Sequence, residues 1–164
     1  MNIADKLSLS RIPLTLLFLI FNQDKIISII ILFLVILTDV IDGYIARKNR
    51  IASKFGALID PLADKVFVIS ALLLFFYLNK ITLLEFFILI IRDIYSITEV
   101  IITLIKKSKK PHKARAFGKI TTALQYFLIS ALILNLGLKS YLIIPIFIFS
   151  VLTIIDYIKV RWSK

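Results

Sequence analysis

Residues 26–46, IISIIILFLVILTDVIDGYIA, form the apolar stretch that decides the fold. The run is close to the ~20 residues that an α-helix needs to cross a hydrocarbon core of ~30 Å. Its apolar residues are continuous and do not alternate with polar ones, so a β-strand is not expected. The stretch therefore predicts a membrane-spanning helix. Two aspartates, Asp39 and Asp42, lie near its end, where contact with lipid alone would be unfavourable for a charged side chain.

Five further stretches have the same apolar character, and together they predict an all-α integral membrane protein with six transmembrane helices. These stretches are residues 12–21, 58–78, 81–105, 120–138 and 141–158. The chain is 60% hydrophobic, which is more than a soluble domain of 164 residues can hide in its interior. We expect residues 1–164 to form a single domain. We also expect residues 2–10 to form a short amphipathic helix at the membrane interface, before the first span.

The positions of the basic residues predict how the chain is oriented in the membrane. The formal net charge is +11, and the lysines and arginines gather at both termini and in the loops 47–54 and 106–119. Only Lys25, Lys80 and Lys139 lie in the loops on the other side. The positive-inside rule therefore predicts a multi-pass protein of the cell membrane with both termini in the cytoplasm.

The same basic loops indicate which partners to expect. Loop charge of this kind suits anionic membrane lipids and substrates that contain phosphate. A nucleic-acid-binding protein would place its basic residues on a soluble face, so we expect no nucleic-acid partner. The chain has no cysteine, which excludes disulfides and zinc–thiolate sites.

Four aspartates predict a metal site. Asp39 and Asp42 are separated by three positions, and Asp60 and Asp64 by four, so each pair shares one face of a helix. The loop between the pairs returns the chain to the same side of the membrane, where the four carboxylates can converge. Such a cluster repels itself unless a cation lies within it, and carboxylate oxygens suit Mg²⁺ or Mn²⁺. A magnesium site of this kind leaves positions for substrate phosphates, which favours phosphate chemistry.

Small and basic residues between the aspartates fit this interpretation. Gly43 and Gly56 remove side chains where a ligand must approach the metal, and Ala46 keeps the same region narrow. Arg47 offers a planar set of donors to a phosphate. Two structural alternatives exist: the glycines also suit close packing of membrane helices, and the aspartates can form ion pairs with Arg47, Lys48 and Lys65.

Residues 39–64, DVIDGYIARKNRIASKFGALIDPLAD, resemble the signature of the CDP-alcohol phosphotransferase (CDP-alcohol phosphatidyltransferase) family. That signature is D-x2-D-G-x2-A-R-x8-G-x3-D-x3-D, and each of its fixed positions is filled here. The resemblance implies a six-helix membrane enzyme that commonly forms a homodimer. It also implies a divalent metal, Mg²⁺ or Mn²⁺, that binds the pyrophosphate of a CDP-linked lipid such as CDP-diacylglycerol, and the release of CMP.

The resemblance further implies a role for individual residues. Asp39, Asp42 and Asp60 would be metal ligands, and Asp64 would be the general base toward the acceptor hydroxyl and a further metal ligand. Residues 2–14, NIADKLSLSRIPL, are similar to the opening of the phosphatidylglycerolphosphate synthases within the family. The residues expected to contact the CDP-lipid are Ser8, Arg11, Gly43, Ala46, Arg47, Ser53 and Gly56.

The acceptor alcohol depends on the second half of the chain. Residues 116–125, AFGKITTALQ, resemble a G-K-x-K-T-T-x-Q segment of the same synthases, with Thr121 in the place of the second lysine. We expect an acceptor-phosphate pocket formed by Arg92, Arg115 and Lys119, and we expect sn-glycerol 3-phosphate as the acceptor. For Arg92 the structural alternative is an internal network with the carboxylates of Asp93 and Glu99, which lowers the cost of burying the charges.

Other functions remain open at this point. Within the family, a cardiolipin synthase would use phosphatidylglycerol, and its corresponding segment has a single lysine; other members use alcohols such as inositol phosphate. Outside the family, an ion-coupled membrane transporter could use the aspartates as an ion path. A transporter would, however, distribute polar residues through the depth of the bilayer, whereas these aspartates gather at one interface.

Overall fold

The computed structural model describes residues 3–49, 56–105 and 116–162, with the side chains of 9–41, 63, 65–99, 101–102 and 117–159. These residues form six helices and no strand, so the predicted all-α fold is confirmed for the described ranges. The helices are α1 (Ile3–Ile20), α2 (Lys25–Asn49), α3 (Gly56–Tyr77), α4 (Leu83–Ile105), α5 (Ala116–Leu134) and α6 (Lys139–Trp162). They group into two compact units, Met1–Leu78 with α1 to α3 and Asn79–Lys164 with α4 to α6.

One predicted element is wrong. A separate amphipathic helix was expected at residues 2–10, but α1 runs without interruption from Ile3 to Ile20. The proline inside α1, Pro13, removes the backbone donor that would reach the carbonyl four residues earlier, but it does not end the helix. The segment expected at the interface and the first predicted span are therefore parts of one helix.

Two of the described helical segments are long and apolar enough to cross a membrane by length and composition, namely Phe117–Leu134 and Lys139–Lys159. Two shorter apolar segments lie at Leu9–Ile20 and Lys65–Tyr77. Helix α4 has the length, but it contains four charged residues, and three of them are buried. Charged residues in membrane helices usually face the protein interior and are paired there, so the buried charges of α4 are compatible with the span predicted at residues 81–105.

The first unit is built around α1, which packs against both α2 and α3. Phe18 of α1 is 1% exposed, and its ring meets the edges of two α3 rings at centroid distances of 5.3 Å to Phe67 and 6.4 Å to Phe75. Edge-to-face aromatic pairs of this kind add stability beyond their buried area. Asp24 begins α2 as a cap, since its Oδ1 accepts from the Ile26 and Ile27 amides at 2.9 and 3.0 Å.

We expect Phe18→Ala to destabilise the protein by about 3–5 kcal/mol, the usual effect of removing a buried phenyl ring. The matched control is Phe33→Ala, which makes the same chemical change at an exposed position. Phe33 lies on α2 and is 62% exposed. Thermal unfolding in detergent should show a large drop in Tm for Phe18→Ala and a small one for Phe33→Ala. Equal drops would contradict the packing of α1 against α3.

The second unit is built around α6, which packs against α4 and α5. Thr82 and Glu85 begin α4 with a capping box: the Thr82 amide donates to Glu85 Oε2 at 2.6 Å, and the Glu85 amide donates to Thr82 Oγ1 at 3.3 Å. Lys139 at the start of α6 donates to Glu85 at 3.1 Å. Lys80 donates to the Leu132 carbonyl at 3.0 Å, at the end of α5, where a cation also suits the helix dipole.

Candidate active site

The four signature aspartates lie on two helices. Asp39 and Asp42 lie in the second half of α2, and Asp60 and Asp64 lie near the start of α3. Both backbones are continuous helix through these positions, so the two aspartates of each pair lie about one helical turn apart along the backbone. Because α1 packs against both α2 and α3, the helices that hold the two pairs share a common neighbour.

Asp39 pairs with Arg11. Arg11 of α1 is 1% exposed, and its Nη2 lies 3.4 Å from Asp39 Oδ1. A buried guanidinium requires an anionic partner, since an uncompensated charge is costly inside the protein. The Asp39 side chain keeps 34% of its surface exposed, so its carboxylate stays accessible to a ligand. Arg11 therefore neutralises part of the negative charge at the predicted metal site.

The side chains of several predicted site residues lie outside the described part of the structure: Ser8, Asp42, Gly43, Ala46, Arg47, Ser53, Gly56, Asp60, Asp64 and Arg115. Of the predicted metal ligands, only Asp39 has a described side chain. Among the described side chains, no three acidic, histidine or cysteine residues come together. The metal ligands that the sequence predicts are all carboxylates, and carboxylate oxygens suit Mg²⁺ or Mn²⁺. The accessible carboxylate of Asp39 is compatible with this metal site.

A second polar cluster lies between α4 and α5. Arg92 of α4 is 6% exposed. Its Nη1 donates to Asp93 Oδ1 at 2.8 Å and to Thr122 Oγ1 at 3.1 Å, and its Nη2 donates to the Gly118 carbonyl at 2.7 Å. The network between Arg92 and Asp93, predicted as the structural alternative, is therefore present. The acceptor role of Arg92 remains a prediction.

Sequence reasoning missed two members of this cluster. Gln125 is fully buried, and its Nε2 donates to Asp93 Oδ2 at 2.7 Å and to the Leu89 carbonyl at 2.8 Å. Gly118 leaves the space that the guanidinium fills, because a Cβ at this position would lie 3.0 Å from Arg92 Nη2. A signal for both was present in the sequence: residues 118 and 125 are seven positions apart, which places them on one face of α5.

Lys119 lies beside this cluster in the first turn of α5, and its side chain is exposed. The first turn of a helix is the positive end of its dipole, so a lysine there is unfavourable without an anion nearby. Phosphate groups bind readily at such positions. The location of Lys119 is therefore compatible with the predicted acceptor-phosphate pocket.

Known proteins resemble this chain over nearly its whole length. A protein of Aquifex aeolicus is 35% identical over 167 residues, which cover 99% of this chain and 92% of that protein. A protein of Wigglesworthia glossinidia brevipalpis is 31% identical over 180 residues, which cover 99% of this chain and 96% of that protein. Both are named CDP-diacylglycerol--glycerol-3-phosphate 3-phosphatidyltransferase.

A comparison with a protein-family model agrees with the similarity to these two proteins. The family model described as CDP-alcohol phosphatidyltransferase matches residues 1–158. This range includes all four signature aspartates, Arg11, and the cluster around Arg92. The chain belongs to the CDP-alcohol phosphatidyltransferase family.

Proposed function

We propose that this chain transfers the phosphatidyl group of CDP-diacylglycerol to sn-glycerol 3-phosphate, releasing CMP and forming phosphatidylglycerolphosphate in phospholipid biosynthesis. The observation that supports this most directly is its similarity to proteins named for that activity, at 35% and 31% identity over 99% of the chain. The complete signature from Asp39 to Asp64 supports the CDP-lipid half of the reaction.

Asp39, Asp42, Asp60 and Asp64 would hold Mg²⁺ or Mn²⁺. When bound, the metal neutralises the charge of the pyrophosphate and so favours CMP as the leaving group. The accessible Asp39 carboxylate and its buried partner Arg11, 3.4 Å away, support this assignment. The CDP-lipid would contact Ser8, Arg11, Gly43, Ala46, Arg47, Ser53 and Gly56.

Asp64 is the proposed general base. As the acceptor hydroxyl oxygen forms its bond to the phosphorus of the phosphatidyl group, the bond from that phosphorus to the CMP oxygen breaks. The hydroxyl proton passes to the Asp64 carboxylate, which must lie near the attacking oxygen for this transfer. Arg47 stabilises the charge that develops on the phosphate oxygens, because guanidinium donors match phosphate geometry.

Arg92, Arg115 and Lys119 are proposed to bind the phosphate of the acceptor. Two of these residues are supported by described geometry: Lys119 is exposed in the first turn of α5, and Arg92 holds the carbonyl of the adjacent Gly118. A dianionic phosphate at this helix end would interact favourably with the lysine and with the positive end of the helix dipole.

The proposal also covers the arrangement of the protein in the membrane. Residues 1–164 would form one domain with six membrane spans, and two copies would form a homodimer. Both termini and the active site would face the cytoplasm. The two apolar segments in α5 and α6 and the membrane-associated family support a membrane protein. The basic loops support the orientation, since lysine and arginine accumulate on the cytoplasmic side.

CMP release by the purified protein in detergent tests the proposal. The donor is CDP-diacylglycerol, and the acceptors compared are glycerol 3-phosphate, phosphatidylglycerol, inositol phosphate and none, each with Mg²⁺ and with chelator. We expect metal-dependent release that is fastest with glycerol 3-phosphate. Faster release with phosphatidylglycerol would establish the cardiolipin synthase alternative, which Thr121 in the place of a lysine favours. No release with any acceptor would favour the transporter.

A further inference from the structure

We propose that Asp93 and Gln125 are positioning residues for the acceptor. Acting through Arg92, they hold the guanidinium against the first turn of α5, and we infer that they thereby set the affinity for the phosphate of the acceptor. This inference rests on the proposed function, because it assigns a task to residues beside the proposed acceptor pocket.

Both oxygens of Asp93 are engaged in different directions. Oδ1 accepts from Arg92 at 2.8 Å, and Oδ2 accepts from Gln125 at 2.7 Å. Gln125 is fixed in turn, because the same amide nitrogen donates to the Leu89 carbonyl of α4 at 2.8 Å. Asp93 and Gln125 have no measurable exposed surface, so water cannot replace either bond. The carboxylate therefore has one orientation, and it imposes that orientation on Arg92.

The result is an arginine whose plane is fixed by three acceptors on two helices. Asp93 belongs to α4, whereas the Thr122 hydroxyl and the Gly118 carbonyl belong to α5. Gly118 precedes Lys119 directly, so the contact that fixes Arg92 also fixes the turn from which Lys119 extends. A shift of the guanidinium would move that turn or break its hydrogen bond to Gly118.

One donor of Arg92 has no acceptor in the described part of the structure. Its Nε is buried there without a hydrogen-bond partner. A buried donor on a charged group is costly to leave unsatisfied, and an anionic oxygen would be its strongest acceptor. A guanidinium that is fixed by Nη1 and Nη2 and still offers Nε is suited to bind an anion, provided that Asp93 and Gln125 keep it in place.

A charge-exchange experiment tests the inference. Asp93→Asn replaces one of the two acceptor oxygens by an NH2 group, so a donor then faces the donor of either Arg92 or Gln125. Gln125→Glu places two carboxylates face to face. The double variant restores one carboxylate and one amide with their positions exchanged. We expect each single variant to raise the KM for glycerol 3-phosphate at least about tenfold, the effect of losing one buried hydrogen bond to a charged group. The KM for CDP-diacylglycerol should stay within about twofold.

The double variant should recover part of the lost affinity for glycerol 3-phosphate, because the exchanged amide and carboxylate can again bond between positions 93 and 125, whereas the bond to the Leu89 carbonyl stays lost. Coupling of this kind identifies residues that act as a pair. A purely structural role would instead change both KM values together or reduce only the amount of folded protein. Single variants with an unchanged KM for glycerol 3-phosphate, or with both KM values raised alike, would overturn the inference. Wild-type protein that releases no CMP with glycerol 3-phosphate would overturn the proposed function itself, which separates the two failures.

A milder variant keeps the test decisive if a charge change prevents folding. Thr122→Val removes one hydrogen bond to Arg92 without changing charge, and we expect a several-fold rise in the KM for glycerol 3-phosphate alone. The matched control is Thr98→Val, since Thr98 is exposed on α4 and donates only to the Ile94 carbonyl of its own helix, at 2.8 Å. Equal KM values for the two threonine variants would refute the positioning role.

Discussion

Replacing Asp64 by asparagine is expected to lower CMP release by at least about 10²–10⁴-fold, the contribution typical of a general base. Asparagine has nearly the same shape but cannot accept the proton of the acceptor hydroxyl. The three remaining aspartates, Asp39, Asp42 and Asp60, still provide metal ligands, so CDP-diacylglycerol should continue to bind. Turnover is measured as kcat in detergent micelles, and binding is measured by titration calorimetry with CDP-diacylglycerol in the presence of Mg²⁺.

Asp24→Asn is the matched control, because it makes the same chemical change at the start of α2. Asp24 caps the helix through its contacts with the Ile26 and Ile27 amides, and asparagine caps a helix about as well as aspartate. This variant should keep both its stability and its turnover. A kcat for Asp64→Asn within a few-fold of the unmodified protein would contradict the assignment of Asp64 as the base.

Arg11→Met should have the second largest effect. The arginine is buried and lies 3.4 Å from Asp39, so its removal leaves a signature carboxylate without its cation. Because Asp39 keeps 34% of its side-chain surface exposed, water screens part of the lost charge, and the cost stays below the value of about 3–5 kcal/mol for a fully buried pair. We expect kcat/KM for CDP-diacylglycerol to fall at least about 100-fold, which corresponds to roughly 2.7 kcal/mol. The KM for glycerol 3-phosphate should change little, since Arg11 is assigned to the CDP-lipid.

Two further variants test whether the effect of Arg11→Met comes from the lost charge and is specific to this position. Arg11→Lys keeps the charge but loses the planar set of donors, so it should recover part of the activity and not all of it. Lys25→Met removes an exposed cation at the start of α2 and should leave kcat/KM unchanged. If Arg11→Met retained the kcat/KM of the unmodified protein, the pair with Asp39 would have no role in donor binding.

The sequence predicted helices and spacing better than contacts between helices. The aspartate pairs at 39 and 42 and at 60 and 64 depend only on helical periodicity, which is a local property of the chain. The contact of Arg11 with Asp39 and that of Gln125 with Asp93 depend on how separate helices are rotated against each other. Hydrophobic periodicity is weak evidence for the rotation of a helix when most residues on every face are apolar, as they are in α2 and α5.

The start of the chain shows why sequence composition did not predict the boundary of a helix. A helix boundary was expected near residue 10 because the segment before it is polar and the segment after it is apolar. Composition changes at this point, but the backbone has no reason to stop, and α1 continues through Pro13 to Ile20. A change in the polarity of the side chains along a helix leaves its backbone hydrogen bonds in place.

Gly118 has a consequence for how relatives of this chain can vary. A Cβ at position 118 would lie 3.0 Å from Arg92 Nη2, so any side chain there would require the guanidinium to shift. We therefore expect the two positions to covary in evolution: a relative with alanine or serine at 118 should have a shorter residue in place of Arg92, and a relative that keeps the arginine should keep the glycine. Pairwise variation across the family would thus record a contact between α4 and α5.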